Sequence, residues 1–125
     1  MNSDVFSERL WNFAAEIGAL LDRLPDTRLA RHVAGQLVRC GTSPAPNYDE
    51  ACAAESRADF AHKLAIATKE MRETRGWLRF IVKTRMQPQA KMTCLLDEAE
   101  QLLKMLTKSL LTVKNRRTSH PQSTI

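Results

Sequence analysis

One stretch, Ser56 to Arg85, runs for thirty residues without a proline and with a single glycine. Within it Phe60, Leu64, Ala67, Met71, Thr74, Leu78 and Ile81 recur at alternating steps of four and three. That spacing puts them on one face of an α-helix and predicts a long amphipathic rod. Ser56 and Asp59 stand where a hydroxyl and a carboxylate satisfy the free N–H groups of a first turn. Beside the apolar seam runs a second line, Lys63, Ile66, Glu70, Glu73, Trp77 and Phe80, with two carboxylates where a plain core would carry leucines. The stretch holds eight Lys or Arg against three Asp or Glu, so its outer surface is basic.

The rest of the chain supplies partners for this rod. Phe6, Leu10, Phe13, Ile17, Leu20 and Leu24 form a heptad-like stripe and predict a helix over about 4–24, stopped by Pro25. Thr27 caps the next, whose inward positions include Leu29, Val33, Gln36, Leu37 and Cys40. Gly41, Pro44 and Pro46 then act as breakers, so helix two is expected to be bent or broken near Pro44–Pro46 and to resume through about Ala54. Pro88 marks another turn, and a fourth helix is expected over about 89–115, with Met92, Leu95, Leu96, Ala99, Leu102, Leu103, Leu106, Leu110 and Val113 inward. Short connections make neighbours antiparallel. The expected fold is all-α, an antiparallel up-down-up-down four-helix bundle over residues 1–116 with a mobile tail over 117–125.

At 125 residues there is room for one core. No apolar run approaches the length of a membrane span, and Met1 to Leu10 is acidic and amphipathic rather than a signal peptide. The expected location is cytoplasmic, with no membrane partner. Cys40, Cys52 and Cys94 lack paired spacing and read as isolated thiols. The net charge of +5 is uneven: residues 1–55 carry five basic and eight acidic groups, residues 56–125 fourteen and six. A basic second half suits a polyanionic partner, or pairing with the acidic half of another copy.

Catalytic chemistry finds no foothold. A di-iron bundle needs Glu-x-x-His pairs, whereas Glu70 and Glu73 form Glu-x-x-Glu, and neither His32 nor His62 has a glutamate three residues before it. Four scattered glycines build no phosphate loop. The chain is read as a non-enzyme without metal or cofactor. Two constellations remain. Arg39, Asn47, Glu50, Glu70 and Glu73 suggest a buried polar network, the Arg39 fork bridging two carboxylates, which either fixes helix register or binds a ligand. Lys69, Arg72, Arg75, Arg79, Lys83 and Arg85, with Lys104, Lys108, Lys114, Arg116 and Arg117 on the last helix, form a surface that neutralises phosphates without reading bases. Val5, Trp11, Leu96, Leu103 and Leu111 flank the apolar stripes and are expected to form an exposed patch for self-association.

Gln36 to Arg39 (Gln-Leu-x-Arg), Thr42–Ser43, Asn47 to Ala51 (Asn-Tyr-x-Glu-Ala), Asp59–Phe60 and Lys69 to Leu78 (Lys-Glu-x-x-Glu-Thr-x-x-Trp-Leu) together carry a resemblance. The chain resembles the four-helix-bundle proteins first noticed as reading frames in intervening sequences of large-subunit ribosomal RNA genes. It is similar within them to the accessory variability determinant of diversity-generating retroelements. Pro46, Asp49 and Cys52 depart from the pattern. The resemblance implies a homopentameric ring with a central channel, RNA or DNA as partner, and a reverse transcriptase as a further one. The expected function is that of a non-catalytic nucleic-acid-binding accessory protein. The alternative is a structural self-assembly module with no nucleic-acid partner.

Overall fold

The computed structural model describes residues 2–119, with side chains through 116; among these residues every regular element is a helix. Helix α1 spans Ser3–Leu21, α2 Arg28–Thr42, α3 Pro44–Cys52, α4 Arg57–Lys83 and α5 Gln89–Ser119. α2 and α3 form one rod bent by 17°, so the architecture is a four-helix bundle.

Each boundary has a local cause. Asn2 caps α1 by accepting from the Val5 amide at 2.8 Å, and the helix ends at Leu21, before the Leu24 where the apolar stripe stops. Pro25 disfavours helical backbone at the residue before it, which accounts for the early exit. Thr27 and Ser56 cap α2 and α4 through their hydroxyls, accepting from Ala30 and Asp59. α4 closes with the amides of Met86 and Arg85 bonded to the carbonyls of Ile81 and Val82, and Arg85 sits at φ 60°. This is the left-handed cap that glycine most often fills. α5 continues to Ser119, past the end of the apolar pattern near Asn115; the rest of the expected tail, 120–125, lies outside the described residues.

The bend between α2 and α3 is where the prolines place it. Pro44 opens α3, and both the Asn47 amide and its side-chain Nδ2 donate to the Ser43 carbonyl, at 3.2 and 3.0 Å. The Thr42 hydroxyl donates to the Val38 carbonyl. Gly41, expected to break the helix, lies inside α2 and has a different use. A Cβ there would stand 2.9 Å from Cγ2 of the buried Ile17, so the missing side chain lets α2 approach α1.

The core is the predicted set of stripes: Phe6, Leu10, Phe13, Ile17 and Leu20 from α1, Val33, Leu37 and Cys40 from α2, Leu64, Ala67, Met71, Leu78 and Ile81 from α4, and Met92, Ala99, Leu102 and Leu106 from α5. Leu29, expected inward, is exposed. Buried Thr68 and Thr74 return their hydroxyls to the carbonyls of Leu64 and Glu70 at 2.8 Å, so neither leaves an unmet donor. No described helix is long and apolar enough to cross a membrane.

Candidate nucleic-acid interface

The two polar constellations occupy different sides of α4. On the side facing α2, Arg39 Nη1 donates to Glu70 at 2.6 Å and Nη2 donates to Glu73, so one guanidinium spans two acids a turn apart. The two acids differ sharply in exposure, at 8% for Glu70 and 33% for Glu73. Lys69 lies 3.8 Å from the other Glu70 oxygen, and the Trp77 indole donates to Glu73 at 3.4 Å. Desolvation works against the Arg39 charge, but Glu70 and Glu73 outweigh it and hold the guanidinium above its ordinary value.

The expected network is thus only partly assembled. Arg39 is 51% exposed rather than shielded, because its long side chain reaches the acids from the rim of the α2–α4 seam. Asn47 serves the bend instead, donating to the Ser43 backbone and hydroxyl. Glu50 is exposed on α3 and pairs with Lys63 at 2.7 Å. Burial pushes the Cys40 thiol up, partly opposed by Thr74, which keeps it protonated; Cys52 and Cys94 are exposed and unbridged.

The side of α4 facing α5 carries the basic constellation. Arg75 donates to Glu100 at 3.1 Å and Arg79 to its other oxygen at 2.5 Å, both one turn apart on α4 and meeting one acid on α5. The Arg75 hydrogen bond, aided by Arg79 and opposed by desolvation, holds the Glu100 carboxyl below its usual range. Next to this clamp is an open groove of about 460 Å³. Arg72 and Arg75 stand on its α4 wall, Lys104 and Lys108 on its α5 wall, and Leu103 and Leu111 between them. Arg72, Lys104 and Lys108 are exposed and have no carboxylate partner among the described residues. They supply uncompensated charge, whereas Arg75 and Arg79 are substantially neutralised.

The remaining expected contacts are spread along the bundle. Lys69 turns toward Glu70, away from the groove. Lys83 and Arg85 lie exposed at the α4–α5 turn. Lys114 and Arg116 are exposed near the other end, Arg116 beside Phe60, while the Arg117 side chain lies outside the described residues. Of the expected apolar patch, Val5, Trp11 and Leu111 are exposed, Leu96 is half-buried and Leu103 is core. Trp11 is also tied down, donating at 2.9 Å to Asp49, which accepts from Ser7 at 2.6 Å.

Sequence reasoning missed the interhelical acids that organise these cations. Glu98 receives Arg9 through two bonds, at 2.7 and 3.1 Å, tying α1 to α5, and Glu100 does the same for α4. The available signal was the pair Arg75 and Arg79, since like charges one turn apart repel unless an acid joins them. Among the described residues no three His, Cys, Asp or Glu side chains gather in a way that could hold a metal ion.

No curated protein sequence matches the chain. Among solved structures, the fold is similar to the 1.70 Å crystal structure of a protein of unknown function from the S23 ribosomal protein family of Bacteroides thetaiotaomicron. That protein is 31% identical, the match covers 88% of this chain and 98% of that one, and the TM-score is 0.80. The family model for the 23S rRNA-intervening sequence protein matches residues 5–108, across all four rods of the bundle, and by that match the chain belongs to the 23S rRNA-intervening sequence protein family.

Proposed function

We propose that the chain is a non-catalytic accessory protein that binds nucleic acid through the α4–α5 side of the bundle. The observation that carries this reading is the trio Arg72, Lys104 and Lys108, exposed cations without a carboxylate partner among the described residues, which line one groove. Glu100 is engaged by Arg75 and Arg79, so the groove presents net positive charge. Such a surface binds phosphates by releasing their counterions, which makes affinity strongly salt-dependent. Assembly into a ring, a pentamer by the family resemblance, would repeat the groove around an axis and turn weak contacts into strong ones. The finer likeness to retroelement accessory determinants adds a reverse transcriptase as a protein partner.

Fluorescence anisotropy with labelled duplex and single-stranded oligonucleotides over a salt series tests the reading. The logarithm of affinity should fall linearly with the logarithm of salt, and the Lys104→Ala, Lys108→Ala double variant should flatten the duplex slope by about 2. Absence of binding at low salt would defeat it. The second reading, a self-assembly module, is favoured by the exposed Val5, Trp11, Leu29, Val38 and Leu111. Light scattering at micromolar concentration separates the two, because an oligomer indifferent to RNA and DNA leaves only assembly.

A further inference from the structure

Resting on that nucleic-acid reading, we infer that the α4–α5 groove takes a single strand, with one base lowered onto its floor, in preference to a duplex. A site that only neutralises phosphates needs cations and nothing else. This groove has more. Leu111, 54% exposed, forms its apolar lining with Leu103, the groove's floor, and Thr107 adds a hydroxyl between the two lysines. A duplex keeps its bases stacked inside and offers only its outer backbone here, so it could touch Arg72, Lys104 and Lys108 but would leave that apolar floor wet. An unpaired strand can turn a base into the groove. The volume, about 460 Å³, lies within the range of sites that enclose one small ligand.

The charges divide the groove in the same sense. Glu100 lies at its edge and cancels Arg75, so a phosphate gains little beside that pair. Arg72, Lys104 and Lys108 remain for it, the two lysines one helical turn apart, about 6 Å along the axis. The Arg75 guanidinium, held by Glu100 and 27% exposed, then offers a fixed plane against which a base can stack. Cations at the rim, a neutralised planar wall and an aliphatic floor suit a nucleotide with its base exposed.

The test compares a labelled uridine decamer, an RNA duplex of the same length and poly-glutamate as competitor, all at one low salt concentration. The single strand should bind about tenfold or more tightly than the duplex. Leu111→Gln, at a position exposed enough to leave folding intact, should weaken the single strand at least about fivefold and leave the duplex unchanged. Equal affinity for the two nucleic acids, or a single strand indifferent to Leu111→Gln, overturns the inference while the phosphate-neutralising function stands. Displacement of the decamer by poly-glutamate at matched charge overturns it in favour of an acidic protein segment. If neither nucleic acid binds, the inference and the proposed function fall together.

Discussion

The same substitution, glycine to alanine, should act with opposite signs at different points of this bundle. Gly18 and Gly35 sit inside α1 and α2, and a Cβ at either would meet nothing within 4 Å. Alanine there gains its helix propensity without penalty, about 1 kcal/mol at each site. Gly41 gains the same propensity, yet its new methyl would stand 2.9 Å and 3.0 Å from Cγ2 and Cγ1 of Ile17. Ordinary carbon contacts lie near 3.5–4.0 Å, and Ile17 is fully buried with no open direction for retreat. Overpacking of this kind costs about 1–3 kcal/mol, and the rigid neighbour points to the upper end. The net for Gly41→Ala is then roughly 2 kcal/mol of destabilisation after the propensity gain. Urea unfolding followed by circular dichroism should move the midpoint up for Gly18→Ala and Gly35→Ala and down for Gly41→Ala. If all three shift in the same direction, the close approach of α1 and α2 does not govern position 41 and the reasoning fails.

Three further outcomes are expected. Arg85→Gly should raise the melting temperature, because a side chain at φ 60° costs about 1 kcal/mol that glycine does not incur; an unchanged or lower melt would contradict this. Glu100 has a depressed folded-state pKa, so its stabilising contribution is present above the unfolded value of about 4.3 and is lost as pH falls through the folded value. The gap in urea midpoint between parent and Glu100→Gln should therefore hold from pH 7 to pH 5 and close toward pH 3; a gap independent of pH would refute the assignment. Arg39→Ala should lower the melting temperature by leaving the buried Glu70 without its fork, and Arg39→Lys should restore only part, since an ammonium cannot span both acids. Full recovery with lysine would show that charge alone matters there.

The bundle was legible because its punctuation and its period agree. Pro25, Pro44, Pro46 and Pro88 fall at or beside the real breaks, and the stripes from Phe6 to Leu20 and from Leu64 to Ile81 are core. The pairing of Arg39 with Glu70 and Glu73 was also readable, since a guanidinium and two acids at i and i+3 beside an apolar seam need one another. Its exposure was not, because that depends on how far α2 is rotated about its own axis. Gly41 was misread for a related reason: spacing identifies a helix breaker, whereas a close contact with Ile17 exists only after α1 and α2 have docked. The clamps at Glu98 and Glu100 depend on the axial register of α5 against α1 and α4, which no local pattern encodes.

The Arg9–Glu98 clamp also has a temporal side. Its partners are 89 residues apart, whereas the Arg75–Glu100 pair is separated by 25. A chain emerging from the ribosome can dock α1 on α2 once both helices are made, but the flank of α1 beside Arg9 must wait for the first turns of α5. Closing so long a loop is entropically the most costly of these steps. The α1–α5 seam accordingly seals late in synthesis, and until Glu98 arrives that flank of α1 stays uncovered.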